Sequence, residues 1–385
     1  MSSSSLSRAG AAILLAVASL TIMVGCAIVP GLPRIARALD MEAHAGWLVT
    51  LPSLGVVLFG PVAGWLIDRV GSREALAGGL VAYAALGLGA LVAPGPVAIY
   101  ADRLLLGGAT AVIMAGGTHL LADFYEGEAR LAMIVRQGMA IELGGVVFLF
   151  VGGLLAEVGW AAPFALYAVA LVFLGGVTLF VPRPPPAPET DVAAAVASGP
   201  LGDVLAAALL AMGVFFTAVI VLPFRLMELG LGEAQVGHFL SFVSLVAVAA
   251  AALMPRVARR VGGRFTLAVA FAAFALGHLA FSVATGVATM VGGAVALGVG
   301  FSLSVPLVNH LVVERSAPSE RGRRLAQLSM ALFSGQFLAS FVELVPGGYG
   351  LLFASAAATA VTAALAFGGA ELAARSALAQ KSQTP

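Results

Sequence analysis

About twelve stretches of the chain are each long and apolar enough to cross a bilayer, and this repetition constrains the fold more than any other feature. A spanning helix needs about 20 mostly apolar residues. The stretches run over 11–30, 46–67, 75–93, 97–121, 131–155, 161–181, 203–224, 234–254, 265–285, 288–312, 325–345 and 349–370, with short polar or Gly/Pro turns between them. Hydrophobic residues make up 61% of the chain and charged residues 10%, whereas a soluble domain carries about 25% charge. A soluble fold of this length cannot hide so much apolar surface. The runs are continuous and do not alternate at period two, so they predict helices and not a barrel. The motif Met23-Val24-Gly25-Cys26 resembles a lipoprotein cleavage site. The apolar run continues through it to Val29, which favours a retained first helix.

The longest interruption, 182–202, is rich in proline at its start and predicts an extended linker. It divides the chain into an N-terminal six-helix bundle, 1–181, and a C-terminal one, 203–385. Arginines set the orientation. Arg69, Arg73, Arg256, Arg259, Arg260 and Arg264 fall on the side of the two termini, while the other side receives only Arg34, Arg37 and Arg225. The positive-inside rule therefore predicts cytoplasmic termini in a multi-pass protein of the cell (inner) membrane.

Several functions are disfavoured. A net charge of +1 suggests no nucleic-acid partner. The single cysteine, Cys26, rules out an internal disulfide and a cysteine-rich metal site. There is no nucleotide-binding Gly-Lys-Ser/Thr loop, no HExxH and no convincing nucleophile–base pair, so no enzyme activity, cofactor or metal is expected.

The two halves echo each other. Arg69-Val70-Gly71-Ser72-Arg73 matches Arg260-Val261-Gly262-Gly263-Arg264, and His119 matches His310, both at an offset of 191. Arg130-Leu131-Ala132 matches Arg324-Leu325-Ala326 at 194, after a three-residue loop insertion. A nearly constant offset through three matches predicts an internal duplication, as in many secondary transporters.

Between the second and third runs lies GWLIDRVGSREAL, residues 64–76. Twelve runs in a six-plus-six order with this loop resemble the major facilitator superfamily, nearest in motifs to its twelve-helix drug/proton antiporters. The resemblance implies an all-α integral membrane fold of two pseudo-symmetric six-helix bundles, working as a monomer. It implies that Gly64, Asp68, Arg69, Gly71 and Arg73 form a gate motif, with Asp68 latching onto the end of the eleventh helix and nearby arginines. The second copy has Arg259 where Asp68 would fall. Arg103-Leu104-Leu105-Leu106-Gly107 resembles the family's Arg-x-x-x-Gly signature, often linked to proton coupling. Gly152-Gly153 matches part of the antiporters' fifth-helix motif, but Phe148-Leu149 stands in place of its Gly-Pro.

An ionisable group at mid-helix costs about 2.5–3.5 kcal/mol, so it carries a reason to be there. Glu142 lies about eleven residues into the fifth run, roughly 16 Å deep at the helical rise. Gly138, Gly145 and Gly152 share its face broadly. Applying the 194 offset, the counterpart of Glu142 is Gln336, a neutral amide, which suits a single-proton carrier. A permanently paired or protonated glutamate is the plainer alternative. Asp102 and Arg103 sit inside the fourth run, near its exterior end, and join Glu142 as proton-coupling candidates, with Asp102 either a proton site or a water-facing residue of the rim. Arg103 is either an anion or carboxylate partner or a structural clamp, and neighbours 100° apart need not pair with each other. His119 and His310 read as interfacial residues, and His278 as a hydrogen-bonded packing residue. Glu343, Arg225 and Arg34 sit near the exterior mouth as candidate gate residues. In the family, helices 1, 4, 7 and 10 line the substrate path. The resemblance thus nominates Thr110, Met114, Phe215, Phe216, Ser304 and Asn309, with Gln336 beside them. Such a mainly apolar lining suits a moderately hydrophobic molecule.

The leading expectation is a proton-coupled transporter that exports small, moderately hydrophobic molecules by alternating access. One alternative is a symporter or uniporter importing a small organic anion anchored by Arg103. The other is a membrane sensor that keeps the fold without flux.

Overall fold

The computed structural model describes residues 6–184, 199–317 and 320–381. Among them there is no strand. The helices are α1 (Arg8–Cys26), α2 (Leu32–Ala38), α3 (Trp47–Val70), α4 (Ser72–Gly89), α5 (Pro96–Phe124), α6 (Gly127–Val158) and α7 (Val169–Phe180). After the expected linker, most of which lies outside the described residues, come α8 (Gly202–Glu228), α9 (Glu233–Ala251), α10 (Met254–Val261) and α11 (Gly263–Val283). Finally there are α12 (Val287–Glu314), α13 (Arg321–Leu338) and α14 (Tyr349–Lys381).

Eleven described segments are long and apolar enough to span a bilayer, counting α1 and α2 as one. The remaining expected run is α4, 18 residues long, whose first turn holds Arg73 and Glu74 and so dilutes its hydropathy. It still packs on α5 and α7 like its neighbours. Large apolar side chains stand outward along the helices: Val172 is 70% exposed, Leu179 78% and Leu365 71%. Water would penalise such faces, and hydrocarbon tails would not.

By their contacts the residues group into two units, Met1–Asp191 with Gly230–Ser241, and Val192–Leu229 with Phe242–Pro385. The loop before α9 and the first half of α9 therefore belong with the first unit, a grouping the sequence pattern does not supply.

Within each unit the same helix pairs recur. In the first, α1 packs on α5, α6 and α7, and α4 packs on α5 and α7. In the second, α8 packs on α12, α13 and α14, and α11 packs on α12 and α14. The duplication is visible in single residues. Gly71 and Gly262, 191 apart, both turn the chain at positive φ, 92° and 91°. Only glycine takes that conformation without strain. Gly107 lies against the carbonyl of Pro52, and Gly298 against the carbonyl of Val243. Both differences, 298 − 107 and 243 − 52, are 191.

The same register corrects one expectation. Gly144 lets α6 close on Ser19 of α1, and Gly335 lets α13 close on Leu209 of α8. Their offset is 335 − 144 = 191, not 194. In that register Gln336 corresponds to Gly145, and Glu142 corresponds to Phe333. Helix packing fixes the register here, and the loop match of Arg130 with Arg324 does not extend into the membrane. Glu142 still has no titratable counterpart.

Candidate functional site

Glu142 sits at mid-length on α6, on the face shared with Gly138 and Gly145. Gly145 faces Ile22 of α1, and two turns further along Gly152 lies against the carbonyl of Ala27. The carboxylate is half-buried, and Cys26 at the end of α1 lies near it. Among the described residues no hydrogen bond or ion pair is made to it. A carboxyl held near mid-helix with no counter-ion is a group whose charge state is left to solvent and ligand.

Asp102 and Arg103 differ from it in every respect. Arg103 is completely buried, and the structure pairs it with its sequence neighbour. Its Nε and Nη2 donate to Asp102 Oδ2 at 3.1 and 2.7 Å. Nη2 also meets the carbonyls of Leu86 and Gly87 at 2.8 and 3.2 Å, and Nη1 makes a longer 3.4 Å contact to Tyr167 Oη. Leu86 and Gly87 stand in the last turn of α4, where helix carbonyls lack intrahelical donors. Arg103 thus caps α4 with a cation at the negative end of its dipole. The guanidinium lies 5.7 Å from the Phe164 ring and 5.4 Å from the Tyr167 ring. Tyr167 and Tyr83 in turn donate to the α1 carbonyls of Val24 and Leu20, at 2.7 and 2.8 Å. The geometry is that of a clamp joining α1, α4, α5 and the turn before α7. The expected possibility of an anion anchor is corrected, because no part of Arg103 is open to a ligand.

The gate motif is only partly engaged within its unit. Arg73 donates to the carbonyls of Val181 and Thr178, at 2.7 and 3.0 Å, and so caps the end of α7. Glu74 pairs with Arg183 at 2.8 Å, and that bond holds its carboxyl below the usual range. Arg69 stacks over Trp65 at 5.3 Å. Gly64 has open space around it. Asp68 is exposed and pairs with neither Arg69 nor Arg73.

The second unit has a counterpart that sequence reasoning missed. Asp203, at the start of α8, meets Arg315 at 2.7 Å and Arg264 at 3.3 Å. Arg324 donates to the carbonyl of Gly199 at 2.6 Å, and Gly199 donates to the carbonyl of Arg315 at 3.0 Å. Arg73 and Arg264, the 191-offset pair, thus hold the two helix ends that flank the linker. The offset was the available signal, because it marks both arginines as one position used twice.

The nominated cavity residues separate. Thr110 and Ser304 are fully buried, and their hydroxyls donate to Leu106 and Gly300 carbonyls on their own helices at 2.8 Å each. As a correction, neither presents a polar atom to open space. Phe215 and Phe216 gather with Phe301, the rings of Phe215 and Phe301 4.5 Å apart. Met114 is partly exposed, Asn309 is exposed with its amide on the Val305 carbonyl, and Gln336 is buried. His278 is buried, with Nε2 donating to the Val214 carbonyl at 2.9 Å. His119 and His310 are exposed.

Arg34 stands at the end of the first unit opposite the linker. It donates to the Ala156 carbonyl at 3.2 Å and approaches Glu233 at 3.6 Å. Arg225 instead pairs with Glu228 at 2.7 Å and donates to the Ala284 carbonyl at 2.6 Å.

Comparison with known proteins places this geometry. The family model of the Major Facilitator Superfamily matches residues 11–340. Multidrug resistance protein 1 of Bacillus subtilis (strain 168) is 28% identical over 164 residues, 40% of this chain and 41% of that protein. Tetracycline resistance protein, class C, of Escherichia coli is 33% identical over 151 residues, 37% of this chain and 36% of that protein. The chain thus spans about two fifths of the length of the curated relatives it matches. A solved D-xylose-proton symporter superimposes with a TM-score of 0.71 at 17% identity, covering 93% of this chain and 95% of its own. At that identity the likeness is one of fold.

Proposed function

Because the chain belongs to the major facilitator superfamily of secondary transporters, we propose that it is a proton-coupled exporter of small, moderately hydrophobic molecules, with Glu142 as the proton carrier. One observation carries the proposal: among the described residues Glu142 is a mid-helix carboxyl without a bonded partner, whereas Asp102 is held by Arg103. A lone carboxyl in a poorly hydrated site gains and loses a proton as its access to water changes. Export is supported by the names of the two resistance proteins and by the apolar cluster of Phe215, Phe216 and Phe301. Import of an organic anion loses its nominated anchor, since Arg103 is sealed in its clamp. In the proposed arrangement, bundles 1–181 and 203–385 rock about a cytoplasmic linker at 182–202. Both termini face the cytoplasm across the inner membrane, the protein acts as a monomer, and Asp68 latches the cytoplasmic gate.

Everted membrane vesicles test this directly. With the vesicle interior acidified, the wild type accumulates tetracycline or an uncharged lipophilic dye, and collapsing the pH gradient abolishes the uptake. Glu142→Gln binds the same probes without accumulating them. Full gradient-driven uptake by Glu142→Gln removes Glu142 from the mechanism, and accumulation driven by the opposite gradient assigns import.

A further inference from the structure

One face of α6 runs from Glu142 toward the far end of the first unit, and there it is covered by α9. Along α6, Glu142 shares a face with Gly145 and Gly153, since positions three, four and eleven apart stack on one side of a helix. At Gly153 this face is pressed against α9. A side-chain carbon on Gly153 would stand 2.8 Å from the Gly237 Cα, and one on Gly237 would stand 2.7 Å from the Leu149 carbonyl. The two backbones touch, and nothing larger than hydrogen fits between them.

Arg34 lies over this seam. Loop and α2 residues after α1 fold back so that its guanidinium reaches the last turn of α6, at the Ala156 carbonyl, and the first residue of α9, Glu233. Glu233 keeps only 15% of its side chain exposed. A partly desolvated charge pair is worth more than a surface one. It also breaks cleanly, because water replaces both partners once α9 moves away.

We propose that Arg34 and Glu233 form a clasp on the exterior side, which holds the Gly153–Gly237 seam shut and so denies Glu142 access to the outside. Arg34 is a positioning residue here and touches neither substrate nor proton carrier. The clasp must open once per transport cycle for Glu142 to exchange its proton with the exterior. The proposal rests on the orientation and the proton role proposed above, and its test separates the two.

Cys26 is the chain's single cysteine. It lies at the end of α1 beside Glu142, so its thiol reports opening without further engineering. Intact cells making the full chain are treated with a membrane-impermeant maleimide. Arg34→Gln and Glu233→Gln are expected to raise the labelling rate of Cys26 about fivefold, the low end of a typical coupling between sites. Gly237→Ala, which wedges the seam, raises it as well. The reversed pair, Arg34→Glu with Glu233→Arg, restores the slow wild-type rate. Wild-type labelling rates in Arg34→Gln and Gly237→Ala overturn the clasp, provided both run as single peaks in size exclusion. Failure of the reversed pair to rescue also overturns it, because the single effects are then mere loss of structure. Acceleration confined to everted vesicles keeps the clasp and reverses the orientation. Acceleration in a protein whose flux ignores the pH gradient keeps the clasp and removes the proton role of Glu142.

Discussion

The sharpest energetic prediction concerns the Arg103 clamp. Replacing Arg103 with leucine removes the donors to Asp102, Leu86 and Gly87 from a site with no solvent access. It leaves the Asp102 carboxylate, whose side chain is 11% exposed, without a counter-ion. Breaking a buried pair from one side costs about 3–5 kcal/mol. Asp102→Leu leaves the guanidinium its carbonyl partners, so the loss is one charged hydrogen-bonded contact, about 1.5–3 kcal/mol. The double variant puts two apolar side chains where a charge pair stood, and such exchanges are often neutral. The orphaned α4 carbonyls remain, so the double variant loses about 1–3 kcal/mol. It is therefore more stable than Arg103→Leu alone. The assay is unfolding of the purified protein in mixed micelles of rising denaturing detergent, followed by tryptophan fluorescence, on all four members of the cycle. If Arg103→Leu costs under about 1 kcal/mol, or if the two single losses simply add, the clamp is not the coupled unit described here.

Other predictions follow from the same geometry. Asp68→Asn is expected to slow transport while leaving the unfolding midpoint unchanged, because Asp68 pairs with neither neighbouring arginine; a matching loss of stability would contradict this. Gly107→Ala drives a methyl into the Pro52 carbonyl and is expected to destabilise the first unit by about 1–3 kcal/mol, read by the same detergent titration. Asp203→Asn weakens the anchor of α8 on Arg264 and Arg315, and limited proteolysis of the linker is expected to quicken. Glu74 is held below the usual carboxylate range by Arg183. Its small contribution is therefore present at neutral pH and fades as acid protonates it, so Arg183→Ala should flatten the acid limb of stability slightly, less at high salt.

Much of this architecture is written in the apolar runs. Their length sets the helix count, and the offset of 191 between Gly71 and Gly262 marks the duplication down to matching positive-φ turns. Side-chain partners are far less legible, for physical reasons. Arg103 and Asp102 diverge along an ideal helix, yet a long guanidinium stem curls back once α4 offers carbonyls and Tyr167 offers a ring. Arg34 faces several acids along the chain, and only the folded path of α2 selects Glu233. Asp203 looks like an ordinary first-turn acid until Arg264 and Arg315 converge on it. The equivalence of Glu142 with Gln336 failed because a loop insertion does not say where helix packing resumes its register. Glu142 stands out in the sequence as a candidate, since a lone acid in a long apolar run carries its cost openly.

Infrared difference spectroscopy of the reconstituted protein, titrated across neutral pH, tests the central claim most directly, because it needs no knowledge of the substrate. The account predicts a carboxylic C=O band that comes and goes with pH in the wild type and vanishes in Glu142→Gln. Identical difference spectra from the two proteins would contradict it.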